Sequence, residues 1–425
     1  MNLVCEESVL RGSVEIPASK SHTIRAVAIA SLAEGESAIR APLDSADAQS
    51  ALSAYRALGA QIDVEPGLWR VHGTGGEIQS PDNVVDVGNS GTTLRIALGS
   101  CALLRSGMAV LTGDDQIRQR PAAPLAASLN DLGAHVRTTR GNGCAPFVVE
   151  GRLCGGQTSI EAVSSQFLTS LLMNVPLGDG DTHIRVPLLH ERPYVEMTLD
   201  WLRNQGIALE HDDALSEFSV PGGQRYARVD RRIPGDFSSA TFFLGAGALG
   251  DNDVACEGLD VRDTQGDRAV VDYVRQMGAQ VATQPDGVRV AAKDLVGCEL
   301  DLNNTPDALP MMAVLGCFAR GTTRLVNVPQ ARYKETDRIA VMKAELERLG
   351  ARIEELPDGL IVEESDLYGA EVDGHGDHRV VMALAIAGCM IPGRTVIRGA
   401  EAVAITFPTF LEALRDLGGK LRLEE

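Results

Sequence analysis

The stretch AYRALGAQIDV at residues 54–64 is the first of six similar segments, in which a helix-forming run ends in a glycine and a β-forming run follows. The other five are SLNDLGAHVRT (128–138), WLRNQGIALEH (201–211), YVRQMGAQVAT (273–283), ELERLGARIEE (345–355) and ALRDLGGKLRL (413–423). A glycine at the end of a helix indicates a left-handed C-cap. The marker glycines follow one another at intervals of 74, 73, 72, 72 and 68 residues, and are Gly59, Gly133, Gly206, Gly278, Gly350 and Gly418. This spacing predicts six copies of one α/β unit.

A second helix precedes each segment, and small or apolar residues cover almost all of its surface. The six are SKSHTIRAVAIASLA (19–33), NSGTTLRIALGSCAL (89–103), VSSQFLTSLLMNV (163–175), GDFSSATFFLGAGAL (235–249), TPDALPMMAVLGCFA (305–319) and GDHRVVMALAIAGCM (376–390). Because a helix that is apolar all round is buried, we expect core helices, each wrapped by the sheet of its own unit. In two copies a Pro-Asp-Gly turn, at 285–287 and 357–359, joins two β-forming runs, which predicts β-hairpins.

The length of the chain predicts more than one domain. A single hydrophobic core seldom grows beyond about 250–300 residues, and this chain has 425. We group the six units as two sets of three: residues 19–229 form one domain, and residues 1–18 together with 230–425 form the other. The hinges are expected near 18–20 and 230–236. The predicted fold class is α/β, with three α/β units in each domain.

Composition narrows the class of protein. A net charge of -19 repels nucleic acid and anionic membranes, so an anionic ligand requires a local cluster of cations. No apolar run reaches the ~18 residues of a membrane span, and the first 17 residues lack the basic start and apolar run of a signal peptide. The eight cysteines include no C-x-x-C pair, which argues against disulfides and structural zinc. We expect a soluble, cytoplasmic protein.

Polar residues are concentrated at or just before the first turns of the core helices. Exposed N–H groups and the helix dipole make these ends natural sites for phosphate or carboxylate, although each polar residue could equally be a stabilising cap. His375 and His378 have an H-x-x-H spacing, but no further ligands at a suitable spacing accompany them, so no metal site is predicted. The polar groups are Lys20, Ser21 and Arg25; Asn89, Gly91 and Thr92; Ser164, Ser165 and Gln166; Asp236, Ser238 and Ser239; Asp307; and Asp377, His378 and Arg379.

Nine motifs occur together and in one order along almost the whole chain. They are PASKSHTIRA (17–26), GNSGTTLR (88–95), RQRPA (118–122), SSQFLTSLLM (164–173), RPYVEMTL (192–199), TPDALPMMA (305–313), RYKETDRIAVM (332–342), GDHRVVMALAIAG (376–388) and ITFPTF (405–410). In this order they resemble the enolpyruvyl transferases, and most closely the branch that acts on shikimate 3-phosphate in aromatic amino acid biosynthesis. That resemblance implies two domains of three βαβαββ units in an inside-out α/β barrel.

The resemblance also implies a reaction. Phosphoenolpyruvate adds through C2 to the 5-hydroxyl of shikimate 3-phosphate, and the tetrahedral intermediate expels phosphate. Neither a cofactor nor a metal is implied, and we expect a monomer whose only partners are the two small-molecule substrates.

Residue roles follow from matching the motifs. For phosphoenolpyruvate, the resemblance implies Lys20, Gly91, Arg120 and Gln166 at the phosphate, and Arg338 and Arg379 at the carboxylate. For shikimate 3-phosphate it implies Ser21, Arg25, Ser164, Ser165, Gln166, Tyr194, Asp307, Gln330 and Lys334. As catalytic groups it implies Asp307 as the base for the 5-hydroxyl and Glu335 as the acid for the methylene carbon, with Lys20 assisting. Bidentate arginines suit carboxylate binding, and we expect the pKa of Glu335 to rise in the reacting complex.

Three positions depart from the family pattern and keep alternatives open. Gln330 and Ile405 stand where an Asn and a Lys are common, and Glu191 stands where a serine contacts the shikimate phosphate. A carboxylate there repels a phosphate unless Arg192 or another cation neutralises it, or it turns away. One alternative is therefore a carboxyvinyl transferase for another cyclic hydroxyl acceptor. Others are the sister enzyme for UDP-N-acetylglucosamine, disfavoured because residues 113–119 contain no cysteine, and a non-catalytic six-repeat binding protein.

Overall fold

The computed structural model describes residues 1–424, within which 24 β-strands and twelve α-helices are found. The strands are β1 (Asn2–Glu6), β2 (Arg11–Glu15), β3 (Glu36–Arg40), β4 (Gln61–Glu65), β5 (Leu68–His72), β6 (Val85–Asp86), β7 (Met108–Thr112), β8 (His135–Thr138), β9 (Phe147–Glu150), β10 (Gly156–Ala162), β11 (Thr182–Leu189), β12 (Glu210–His211), β13 (Glu217–Val220), β14 (Asp230–Arg232), β15 (Asp253–Glu257), β16 (Gln280–Gln284), β17 (Gly287–Ala291), β18 (Glu299–Asp301), β19 (Thr322–Val326), β20 (Arg352–Leu356), β21 (Gly359–Glu363), β22 (Glu371–Asp373), β23 (Arg394–Arg398) and β24 (Lys420–Glu424). The helices are α1 (Lys20–Leu32), α2 (Ala46–Ala57), α3 (Gly91–Cys101), α4 (Ala123–Asp131), α5 (Ser165–Asn174), α6 (Arg192–Asn204), α7 (Phe237–Gly247), α8 (Val270–Gln276), α9 (Leu309–Phe318), α10 (Arg338–Arg348), α11 (His378–Met390) and α12 (Phe410–Asp416). In this part of the chain no helix is both long enough and apolar enough to cross a membrane.

Six four-stranded sheets share one topology. In the sheet β10-β11-β13-β12, the first pairing is parallel and the next two are antiparallel. The same arrangement recurs in β6-β7-β9-β8, β18-β19-β21-β20, β14-β3-β5-β4, β2-β15-β17-β16 and β22-β23-β1-β24. Both Pro-Asp turns join hairpin strands, since Gln284 pairs with Gly287 and Leu356 with Gly359. The predicted six-fold α/β repeat is confirmed.

Three of the sheets are completed by a strand that lies far away in the sequence. β14 runs parallel to β3, and β2 runs parallel to β15. β1 lies between β23 and β24 and is antiparallel to both. Three of the six repeats are therefore not continuous in sequence, because each includes one strand from a distant part of the chain.

The chain divides into two compact units. Unit 1 consists of Met1–Pro17 and Pro234–Glu425, and unit 2 of Ala18–Ile233. Each has its own hydrophobic core. The core helices are α1, α3 and α5 in unit 2, and α7, α9 and α11 in unit 1; every residue of α3 and α7 is buried.

The helix ends follow the sequence pattern. All six marker glycines have positive φ, between 72° and 111°, as a left-handed cap requires. Five core helices begin after a polar residue whose side chain accepts a backbone hydrogen bond: Ser19, Ser90, Ser164, Asp236 and Asp377.

The sixth core helix is preceded by a 3-10 turn, Pro306–Ala308. Asp307 lies in this turn, just before α9, which agrees with the prediction that polar residues lie at or just before the first turns. Pro310 has no N–H to donate to the carbonyl of Pro306, so the α-helix cannot extend back through this turn. Leu309 donates to the carbonyl of Pro306 instead.

Candidate active site

The residues predicted to bind substrates lie mainly where helices begin. In unit 2 they are Lys20, Ser21 and Arg25 in α1, Gly91 in α3, Arg120 ahead of α4, Ser164, Ser165 and Gln166 at the start of α5, and Tyr194 in α6. In unit 1 they are Asp307 ahead of α9, Gln330, Lys334 and Glu335 ahead of α10, Arg338 in α10, and Arg379 in α11. The first N–H groups of a helix have no partners within the helix and carry partial positive charge. These ends, together with the cations beside them, are suited to anions.

Lys20 is the first residue of α1 and is paired with a carboxylate of its own unit. Its Nζ lies 3.1 Å from Oδ2 of Asp47, which is buried in the first turn of α2. A cation at a helix N-terminus is opposed by the helix dipole. The ion pair with Asp47 therefore stabilises the charged form of Lys20 at the N-terminus of α1, where an anionic substrate would also be stabilised.

Arg25 is buried, and in unit 2 it donates hydrogen bonds to uncharged oxygens. Its Nε donates to Thr198 Oγ1 at 3.0 Å, and its Nη2 donates to Thr169 Oγ1 at 3.3 Å and to the Tyr194 carbonyl at 3.1 Å. Its Nη1 donates to the carbonyl of Ser21 at 3.0 Å. Burial lowers the pKa of Arg25 to about 10, so the side chain is still charged at neutral pH. Ser21, Arg25 and Tyr194 are thus brought together around one buried positive charge.

Gly91 lies where two guanidinium groups approach the start of α3. A β-carbon at this position would collide with Nη1 of Arg95 and would lie 2.7 Å from Nη1 of Arg120. Glycine is needed here so that both side chains can come close to the backbone. The structure therefore brings Gly91 and Arg120 together, as the motifs predict.

Gln166 joins the same group through Arg95. Arg95 Nη1 donates to Gln166 Oε1 at 3.2 Å, and Gln166 Nε2 donates to Thr92 Oγ1 at 3.1 Å. The Arg95 guanidinium also lies over the ring of Phe167, 5.8 Å from its centroid. Arg95 is buried and was not among the predicted site residues. A signal was present, because Arg95 follows Gly91 by four residues and hence shares its helix face.

Ser165, the first residue of α5, is bonded to Glu191. Its N–H donates to Glu191 Oε2 at 3.1 Å and its hydroxyl donates to the same oxygen at 2.7 Å. Glu191 is 2% exposed. Arg192, considered above as the neutralising cation, donates instead to Glu196 Oε1 at 2.8 Å.

Arg338 is the centre of the charged cluster in unit 1. It donates to Asp307 Oδ1 at 2.7 Å and to Glu335 Oε2 at 2.5 Å. It also pairs with Asp377, which caps α11. Burial by itself lowers the pKa of Arg338, but Asp377, Glu335 and Asp307 together raise it above its ordinary value.

Arg379 shares Asp307 with Arg338. Its Nη2 lies 2.9 Å from Asp307 Oδ2, and its Nη1 donates to the carbonyl of Ser238 at 3.2 Å. Burial lowers the pKa of Arg379, while Asp307 and more distant carboxylates raise it, and the net direction is upward. Both guanidinium groups are therefore charged across the physiological pH range.

The remaining predicted residues of unit 1 differ in their surroundings. Lys334 Nζ lies 4.0 Å from Asp307 Oδ1, so Lys334 belongs to the cluster. Gln330 donates to the Asn303 carbonyl at 2.8 Å, and its buried Oε1 has no hydrogen-bond partner among the described residues. Ile405, which replaces a lysine of the family pattern, ends a 3-10 turn and packs against the core of unit 1.

Unit 1 thus carries buried arginines beside carboxylates. Unit 2 carries the ion pair of Lys20 and Asp47 and the buried cations Arg25 and Arg95. Arginine pairs bind carboxylates and phosphates through several hydrogen bonds, and carboxylates in the same group can transfer protons. Sequence reasoning missed the internal anions Asp47 and Asp377 as partners of these cations. Their motifs gave no signal for such pairing, because the partners lie in other elements.

The comparisons with known proteins agree over the whole chain. Residues 4–414 match the family EPSP synthase (3-phosphoshikimate 1-carboxyvinyltransferase). The 3-phosphoshikimate 1-carboxyvinyltransferase of Ruminiclostridium cellulolyticum is 50% identical over 423 residues, covering 100% of both chains. That of Acetivibrio thermocellus is 52% identical over 421 residues, covering 99% of both.

Solved structures agree with this. EPSP synthase from Acinetobacter baumannii is 26% identical, with a TM-score of 0.83 over 99% of this chain and 100% of that one. The enolpyruvyl transferase NikO from Streptomyces tendae, 21% identical, shares the fold with a TM-score of 0.76 over 99% of this chain and 98% of that one. The repeats, the charged helix ends and these similarities lead to one conclusion: the chain belongs to the EPSP synthase family.

Proposed function

We propose that this chain transfers the enolpyruvyl group of phosphoenolpyruvate to the 5-hydroxyl of shikimate 3-phosphate and releases phosphate, as its family does in the shikimate pathway. The observation that carries the proposal is the cluster in unit 1. There two buried guanidinium groups, of Arg338 and Arg379, share the carboxylate of Asp307, with Glu335 bonded to Arg338. Such a group contains both cations for an anionic substrate and carboxylates for proton transfer.

Phosphoenolpyruvate is bound through its two anionic ends. Arg338 and Arg379 bind the carboxylate in bidentate fashion, which replaces the bonds they make to Asp307. Its phosphate is bound by the backbone N–H of Gly91 together with Lys20, Arg120 and Gln166. At Gly91, guanidinium groups already approach the start of the helix.

Shikimate 3-phosphate is the acceptor. Its phosphate is bound by Ser164, Ser165 and Lys334, and its ring and hydroxyl groups by the other acceptor residues. Hydroxyl and amide groups suit a polyhydroxylated ring, because each can both donate and accept. These other residues are Ser21, Arg25, Gln166, Tyr194, Asp307 and Gln330.

Proton transfer balances without any other reagent. Asp307, relieved of its two arginines by the substrate carboxylate, accepts the 5-hydroxyl proton as the oxygen forms a bond to C2. Glu335 donates a proton to the methylene carbon, with Lys20 assisting. In the second step the C2–O bond to phosphate breaks, and phosphate leaves with the electron pair and takes up the proton held by Asp307. The methyl group returns a proton to Glu335, which restores both carboxyl groups to their starting states. Fixed cations stabilise the charge that develops.

We further propose that units 1 and 2 act as the two predicted domains, joined at residues 18–20 and 230–236. We also propose that the protein works as a monomer in the cytoplasm. Sedimentation equilibrium should then give a mass near the 45.1 kDa of one chain.

The direct test follows phosphate release from phosphoenolpyruvate with shikimate 3-phosphate, and identifies the enol ether product by mass spectrometry. Unphosphorylated shikimate is the matched control acceptor and should give much slower release. Lys20→Met should abolish release in the complete mixture. If release required a different cyclic alcohol and shikimate 3-phosphate gave none, the proposal would be wrong.

A further inference from the structure

Glu191 has a backbone conformation that its residue type rarely adopts. It lies immediately ahead of α6 with φ 57° and ψ 41°, in the left-handed region that favours glycine. Its side chain is nevertheless buried and bonded to Ser165, not turned toward solvent. Such strain persists only where the surrounding contacts hold it in place.

The contact occupies the beginning of α5. The N–H of Ser165 is the first amide of this helix, and no carbonyl within the helix can accept from it. Both this N–H and the Ser165 hydroxyl donate to Glu191 Oε2. Ser164 Oγ, the neighbouring cap, accepts from the N–H of Gln166 at 3.4 Å. The carboxylate of Glu191 is therefore bound as an internal anion at a helix N-terminus.

Arg192, which follows Glu191 in the sequence, and Arg25, which contacts Tyr194, both donate to other groups. Arg192 Nε donates to Glu196, and Arg192 Nη2 donates to the Asp213 carbonyl at 2.8 Å. Arg25 donates to the carbonyl of Tyr194 and to hydroxyl groups. The main chain around Glu191 is also fixed, because Tyr194 N–H donates to its carbonyl at 3.0 Å. The side chain thus faces α5 as part of an ordered helix start.

We propose that Glu191 is an acceptor-selecting residue, whose carboxylate competes with the phosphate of the acceptor for Ser165 and is displaced by it. This inference rests on the proposed function, in which Ser164 and Ser165 bind that phosphate. Neither the N–H nor the hydroxyl of Ser165 can form a strong hydrogen bond to two anions at once. Two anions at one helix end also repel each other. An acceptor must therefore outcompete Glu191, which a phosphate with three oxygens and two charges does better than a singly charged group.

The competition predicts the effect of removing the carboxylate. Glu191→Ser should lower the dissociation constant for shikimate 3-phosphate about tenfold, a change typical of losing one competing charged hydrogen bond. Glu191→Gln, which keeps the shape but not the charge, should lower it by a smaller factor. The KM for phosphoenolpyruvate should stay within about twofold, because the competition concerns only the acceptor.

The experiment measures shikimate 3-phosphate binding by isothermal titration calorimetry, and both KM values by phosphate release. The matched control is Glu196→Gln, which removes an equal charge from the same helix, where Glu196 pairs with Arg192 and is 44% exposed. The control should leave acceptor binding unchanged. A structure of the wild-type protein with shikimate 3-phosphate should show the Glu191 carboxylate away from Ser165.

Two outcomes would overturn the inference. Weaker acceptor binding in both Glu191 variants would make Glu191 a positioning residue for α5, and unchanged binding would make it a local structural contact. A separate titration with inorganic phosphate keeps the inference distinct from the proposed function. If the wild type released no phosphate with shikimate 3-phosphate while Glu191→Ser still bound inorganic phosphate more tightly, the function would fail and the competition would stand.

Discussion

Arg338 and Asp377 form a bidentate ion pair: Nε donates to Oδ2 at 2.8 Å and Nη2 donates to Oδ1 at 3.2 Å. Both side chains are almost fully buried, at 1% and 0% exposure. Asp377 also caps α11 by accepting from the N–H of Arg379 at 2.9 Å. One carboxylate therefore positions both arginines proposed to bind the phosphoenolpyruvate carboxylate.

Asp377→Asn should weaken phosphoenolpyruvate binding while leaving acceptor binding nearly unchanged. The amide can still cap α11, but the charge that balances Arg338 is lost. We expect the free energy of unfolding to fall by about 1–3 kcal/mol, the size of a hydrogen bond to a charged group. We also expect the KM for phosphoenolpyruvate to rise. Urea denaturation and steady-state kinetics measure the two effects.

The matched control for this change is Asp337→Asn. Asp337 caps α10 through Ala340 N–H at 3.1 Å, but its ion pair with Arg332 is partly exposed, with 37% of the Asp337 side chain accessible. A loss of phosphoenolpyruvate affinity as large as that of Asp377→Asn would contradict the proposed link between the cap and the two arginines.

Glu335→Gln should lower kcat by about 10²–10⁴, the usual contribution of a general acid. Glutamine keeps the hydrogen-bonding shape beside Arg338 but has no acidic proton to give. Both KM values should change much less than kcat. Glu355→Gln, at the more exposed ion pair with Arg332, serves as the control. Normal turnover by the Glu335 variant would remove this residue from the mechanism.

Gly91→Ala should raise the KM for phosphoenolpyruvate by about ten- to a hundredfold, because displacing a binding group by about 1 Å has effects of this size. The added methyl carbon would lie under 3 Å from the Arg95 and Arg120 guanidinium groups and would push them away. The comparison is Gly99→Ala in the same helix, where the methyl carbon would instead meet Ser170 Oγ at 2.6 Å. That variant should be less stable, with the ratio of the two KM values unchanged.

Gly206→Ala should lower the stability of the protein by about 1 kcal/mol, the cost of a left-handed alanine. Gly206 has φ 72°, and a β-carbon there would meet no atom within 4 Å, so only the backbone is strained. Gly206→Asn should cost less, since asparagine tolerates this conformation. Thermal unfolding of the wild type, Gly206→Ala and Gly206→Asn would rank their stabilities. Equal unfolding midpoints for the wild type and Gly206→Ala would contradict the prediction.

The repeat architecture was readable from the sequence because its signals are local. Gly350 ends one helix, and Pro357 and Asp358 turn the hairpin that follows, all within a few residues. Core helices such as α7 were equally clear, since polar residues are confined to their ends.

Other features depend on long-range contacts, and their sequence signals are weak. Nothing near Lys20 indicates that Asp47 pairs with it, and nothing near Ser165 indicates Glu191. The 3-10 turn ahead of α9 was not predicted as such, although the missing N–H of Pro310 could have indicated it.

The pairing of β1 with the distant strand β23 has a consequence for translation of the chain. Unit 2 is complete once its last residue, Ile233, has been translated, whereas Glu6 in β1 must wait for Arg394 in β23. At about 5–20 residues per second, that wait is on the order of 20–80 s. Throughout it, Leu3, Val4 and Cys5, which are fully buried in the finished fold, have no native sheet to join. During most of translation the apolar side chains of β1 are therefore exposed to water, and they are suited to binding by ribosome-associated chaperones in that interval.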